Sequence, residues 1–230
     1  MLTLRQPAID RIRELLDQQS LLPLTYREEG GTEQLRLPTT YHTVEFSRKL
    51  GRGEQVFAAA VQAMSQWNSF RLPWARLVFD GKPETGNHLA IAFRALGIWS
   101  LNCCRVVAHD PCVSNPESWS FTLGTLPLHT LQGEEKISIT LDAVSGDVNY
   151  RIRSFSRPQF RVSRIALPWI RHHQHRFCEE SYRAMDRFVR AEQRFPAATA
   201  ARNSSDPGLP TPVLMSRTFS QLQSSPDEQD

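Results

Sequence analysis

The chain has 230 residues, enough for one domain with a full core and room for a tail; 40% are hydrophobic and 22% charged, the balance of a globular protein. Its formal net charge of +3 is small and dispersed, so it implies neither nucleic acid nor an anionic membrane as partner. No run of about 18 apolar residues exists, which excludes a helical membrane span, and the charged start MLTLRQPAIDRIRELL lacks a signal-peptide apolar region. A cytoplasmic location is expected. Cys103, Cys104, Cys112 and Cys178 form no CxxC pair, and Cys103 and Cys104, adjacent on a strand, point to opposite faces; free thiols are expected.

Residues 7–18 place Ile9, Ile12, Leu15 and Leu16 at helical spacing behind Pro7 and predict a short amphipathic helix. Residues 21–40 read as loop with one extended piece near Leu24 to Arg27. Tyr41 to Lys49 alternates as a strand, the Gly51–Glu54 turn follows, and Glu54 to about Trp67 is a helix with Val56, Phe57, Ala60, Met64 and Trp67 on one face. The two glycines before that helix serve a tight turn; without further glycines or a lysine they make a weak phosphate signal.

From Trp74 the period changes to two. Strands are expected over 74–80, 88–95, 98–109, 118–127, 134–142 and 147–157, joined by short turns that make neighbours antiparallel. Pro158 ends the last, and Pro168 begins a helix to about Arg194 with Ile170, Gln174, Phe177, Ser181, Ala184, Met185 and Phe188 on one face. Residues 196–230, rich in Pro, Ser, Ala and Asp, are expected to be disordered. The chain thus divides into an N-terminal helical segment (1–20), a domain (21–195) and a tail (196–230).

This order of elements predicts an α+β fold, a curved antiparallel sheet of about seven strands wrapped around a long C-terminal helix. It is similar to the helix-grip fold of START lipid-transfer domains and the birch-pollen allergen superfamily. A closer resemblance lies in the motifs: Tyr26…Gly30…Thr32, Leu50-Gly51-Arg52-Gly53, Trp67 with Trp74, and Cys104-Arg105-Val106-Val107. Gly124-Thr125-Leu126, His129, Gly133-Glu134-Glu135, Phe155-Ser156-Arg157-Pro158 and Gln174 complete the set. It resembles the family called domain of unknown function nineteen-ninety over about residues 21–190. Two departures are Leu123 and Leu128, where that family usually has tyrosine and glycine. The resemblance implies a fold and carries over no activity.

Strand parity places Ile137, Ile139, Leu141 and Glu135 on one face, Trp119, Phe121, Leu123 and Thr125 on another, and Val148, Tyr150, Ile152, Ser154 and Ser156 on a third. Leu101, Cys103 and Val107 share a side with Arg105. A buried carboxylate must be paired, hydrogen-bonded or protonated, and Arg105 is the expected partner of Glu135. That pair could fix sheet register or orient a ligand's polar head. Arg105, Thr125, Glu135, Tyr150, Ser154 and Gln174 are therefore the candidate ligand-binding residues. His129 beside Glu134 and Glu135 could act as acid or base with Glu135, or simply bond backbone. No nucleophile elbow is present, and His172 and His175 point away from Cys178 on the helix, so neither a metal nor another cofactor is implied.

Three functions remain. One is binding of a small apolar or amphipathic molecule in a closed, mostly apolar cavity of several hundred cubic ångströms (on the order of 300–1,000 Å³) between sheet and helix. The second is a cyclase or lyase using acid–base residues at the cavity mouth, and the third a protein-interaction module using the tail.

Overall fold

A computed structural model describes residues 2–95 and 97–194; the reading of 196–230 as a disordered tail, and the interaction role built on it, lie outside the described residues. The elements in order are β1 (Leu2–Thr3), α1 (Ile9–Ser20), β2 (His42–Arg52), α2 (Glu54–Ser65), β3 (Ala75–Phe79), β4 (His88–Ala95) and β5 (Ile98–Pro111). They continue with β6 (Ser118–Thr125), β7 (Leu131–Leu141), β8 (Asp147–Pro158), α3 (Arg161–Ile165) and α4 (Leu167–Arg194). The sheet runs β2-β8-β7-β6-β5-β4-β3, every pair antiparallel, with the two-residue β1 pairing β5 off this path. Short turns make β3 to β8 a meander, and β2 closes on β8 as the far edge. This is the helix-grip arrangement expected from the order of elements. The additional strand β1 is too short to show a period.

α2 and α4 cover one face of the sheet. Val56, Ala60, Ala63 and Met64 of α2 and Cys178 and Met185 of α4 form one buried cluster with Trp119, Phe121, Ile137, Ile139, Tyr150 and Ile152. α2 ends at Ser65, not Trp67. Trp67 takes the left-handed conformation (φ 60°), which brings its indole into the core, where Nε1 donates to the Gly81 carbonyl at 2.8 Å.

The opposite face is covered too. Ile12, Leu15 and Leu16 of α1 pack on Val78, Ala90, Ala92, Leu101 and Cys103, whereas Ile9 stays 36% exposed. Further along that face the loop 24–41 lies on Phe155 through Tyr26 and Tyr41. The expected extended piece near Leu24 is not a strand; Thr25 N–H donates to the Thr125 carbonyl at 3.1 Å, and its hydroxyl bonds the same residue. Cys103 and Cys104 do point to opposite faces, and all four cysteines are free.

Candidate functional site

The start of β7 places two consecutive carboxylates on opposite faces. Gly133, at φ +151°, passes so close to β8 that a methyl group there would run into the Phe155 carbonyl. The Thr125 hydroxyl accepts from Gly133 N–H at 2.9 Å and lies 2.7 Å from the Thr25 hydroxyl, fixing Gly133 against the end of β6. Register then sets Glu134 opposite Phe155 and Glu135 opposite Ser154.

Glu134 turns to the loop side and is 2% exposed. Its Oε2 accepts from Tyr26 Oη and Gly30 N–H, each at 2.9 Å, and its Oε1 from Thr32 N–H at 2.9 Å and Thr32 Oγ1 at 2.5 Å. Four donors on one carboxylate make it a clasp holding the loop to the sheet. Gly30, at φ +73°, gives the turn that presents two of those backbone amides.

Glu135 turns to the α4 side and enters a cavity of about 300 Å³. Its walls are Ile91 and Phe93 of β4, Ser100, Asn102 and Cys104 of β5, Leu123 and Thr125 of β6, and Ser154 of β8. Phe70, Leu72 and Trp74 close one side and Ile170, His173, Gln174, Phe177 and Cys178 of α4 form the roof. Ile98 and Trp169, 40% and 51% exposed, stand where it opens, so it is not the closed chamber expected. Among the described residues the Glu135 carboxylate receives no hydrogen bond and no ion pair, and burial alone pushes its pKa up to about 7.

The expected partner of Glu135 is elsewhere. Arg105 Nε donates to His88 Nε2 at 3.1 Å, and Nη2 donates to the Ser20 and Leu22 carbonyls at 2.8 and 2.9 Å. His88 Nδ1 in turn lies 3.1 Å from Asp80 Oδ2. Arg105 therefore caps the C-terminal end of α1 on the other face of the sheet, with Leu101 and Cys103. Parity grouped these residues correctly but assigned the group to the cavity, because the more apolar side of β5, with Leu101 and Cys103, packs under α1. The residues of β5 that do line the cavity, Ser100, Asn102 and Cys104, occupy the alternate positions.

Thr125, Ser154, Gln174 and His129 join Glu135 on the cavity wall. Gln174 Nε2 donates to Ser156 Oγ at 3.0 Å, tying α4 to β8. Tyr150 is fully buried beyond the cavity, its hydroxyl donating to Ser181 Oγ at 3.1 Å. His129 Nδ1 lies 3.0 Å from Leu131 N and 2.9 Å from Leu131 O, so either neutral tautomer is held by backbone. Burial pushes its pKa down to about 4. His173, not His172 or His175, reaches the cavity, and the ring-rich wall of Trp74, Phe93, Phe177 and Trp169 was not foreseen. The period-two and helical signals for these residues are present, but neither says which loops and helix turns meet. Among the described residues no group of three or more His, Cys, Asp or Glu could hold a metal ion, and no helix is long and apolar enough to cross a membrane.

A family model described as "Domain of unknown function (DUF1990)" matches residues 25–184. A UPF0548 protein of Arabidopsis thaliana is 31% identical over 145 residues, which span 62% of this chain and 70% of that protein. A UPF0548 protein of Dictyostelium discoideum is 26% identical over 211 residues, 84% of this chain and 98% of that one. Among solved structures, a norcoclaurine synthase of Thalictrum flavum matches with TM-score 0.47 at 9% identity, over 69% of this chain and 99% of its own. The Zhui aromatase/cyclase of Streptomyces sp. R1128 matches with TM-score 0.47 at 12% identity, over 68% and 98%.

Proposed function

The chain belongs to the family of domains of unknown function designated DUF1990, and for this member we propose that it binds a small, mostly apolar molecule between sheet and α4. The observation that carries this reading is Glu135, a carboxyl without a partner among the described residues inside an otherwise largely apolar cavity. A structural carboxylate is paired, as Glu134 is; one left open in a cavity meets something that enters it. The ligand's apolar body lies against Ile91, Leu123 and Phe177 while its polar end meets Glu135, with Ser154 and Gln174 on the same wall.

Native mass spectrometry of protein purified from its own host, followed by extraction, tests this. We expect one retained small molecule per chain, and loss of retention when Cys104→Phe fills the cavity. Failure to retain or take up any apolar molecule contradicts the reading.

A second reading is favoured by one observation. A carboxyl with its pKa near 7 is suited to passing a proton to and fro at neutral pH, and neutral His129 lies on the same wall. This would make the protein a lyase or cyclase. Wild type would then release its ligand chemically altered and Glu135→Gln would release it unaltered; identical products from both exclude catalysis by Glu135.

A further inference from the structure

Resting on the cavity reading, we infer that the ligand carries a protonated amine, held as an ammonium ion against Glu135. Among the described residues no lysine or arginine side chain lines the cavity. Its other carboxylate neighbour, Glu134, is already satisfied by four donors on the opposite face. An ionised Glu135 thus has no countercharge from the protein, and isolating a carboxylate in apolar surroundings is strongly unfavourable. A ligand ammonium supplies the missing charge and a charge-assisted hydrogen bond together. Rings of Phe70, Phe93, Phe177 and Trp169 face the same space and favour a cation over an anion.

The other ligand classes fit less well. A carboxylate or phosphate head finds no cation on the wall and meets the charge of Glu135. A neutral alcohol finds hydrogen-bonding groups but leaves the carboxylate uncompensated. Asn102, the remaining amide of the β5 wall, is engaged internally, donating to Ser100 Oγ at 3.1 Å and accepting from Thr130 N–H at 3.0 Å.

Titratable groups surround Glu135 from every element packed there: Cys104 of β5, Cys178 and His173 of α4 and His129 of the β6–β7 loop line the cavity, and Tyr150 of β8 lies beyond it within reach of its charge. Burial, reinforced by the charge of Glu135, keeps both thiols and the phenol protonated, and burial keeps both imidazoles neutral. Only Glu135 among them changes charge around neutrality. Amine binding therefore requires its ionised form and weakens as pH falls below about 7, by about tenfold per unit.

Calorimetric titration of the full chain with octylamine, octanol and octanoate, at pH 6 and pH 8, tests the inference. At pH 8 octylamine binds one per chain, about tenfold or more tighter than octanol, with octanoate weakest. Glu135→Gln retains octanol binding and loses the preference for the amine, and in wild type the preference shrinks at pH 6. Equal affinity for octylamine and octanol, or a preference for octanoate, overturns the amine and leaves the cavity reading intact. Binding of none of the three contradicts both. The wild-type pH comparison decides the matter even if the variant does not fold.

Discussion

Glu134 and Glu135 are neighbours with opposite roles, and their variants separate those roles. Glu134→Ala leaves the buried donors of Tyr26, Gly30 and Thr32 without an acceptor, and we expect it to destabilise the fold by roughly 3–5 kcal/mol in denaturant titration. Glu135 contributes with the other sign. Its folded pKa of about 7 lies above the ordinary 4.5, so the empty protein favours its protonated form. That stability is fully present below about pH 4.5 and is lost as pH rises through about 7. Glu135→Gln removes the loss: relative to wild type without ligand, the variant should gain roughly 2–3 kcal/mol between pH 4.5 and pH 8. An equal difference at both pH values would show that Glu135 is not desolvated. Parity in the sequence is enough to turn Glu135 inward. Nothing local shows that Glu134 holds a loop about a hundred positions away, although Tyr26, Gly30 and Thr32 stand in the same motif set.

At the scale of elements, the strands and the C-terminal helix were readable because their periods are clean and their turns carry glycine, proline and aspartate. The error over Arg105 comes from the sheet being covered twice. Alternation identifies which residues share a face, but with α1 on one side and α4 on the other, it does not say which layer covers that face, and the apolar side of β5 with Leu101 and Cys103 lies under α1. The close pairing of β7 with β8 depends on Gly133, and Gly133→Ala adds a methyl against the Phe155 carbonyl at a backbone conformation unfavourable to any side chain. We expect it to cost about 3 kcal/mol or more and to abolish ligand uptake, since it displaces Glu135; unchanged melting and uptake would contradict the assignment. The tie between β8 and α4 through Tyr150 and Ser181 is of another kind. Tyr150→Phe should cost about 1 kcal/mol in denaturant titration and leave ligand affinity unchanged, because the ring lies beyond the cavity.

The whole molecule is a sheet packed on both sides with one carboxyl left open between sheet and long helix. α1 and the loop 24–41 stiffen the far face, Glu134 clasps that loop, and the same strand carries Glu135 into the space under α4. Fold order and a cavity between sheet and helix were visible in the chain because they depend on local periods and parity; the full lining was not, because its walls come from residues scattered from Val44 to Cys178. The most direct measurement is carbon-detected NMR of protein labelled at its glutamate carboxyls, with Glu135 assigned through Glu135→Gln, titrated with pH and then with octylamine. The account predicts a midpoint for Glu135 near 7 in the empty protein and a lower one when a single amine is bound. An ordinary carboxylate midpoint near 4.5, unmoved by the amine, would contradict it.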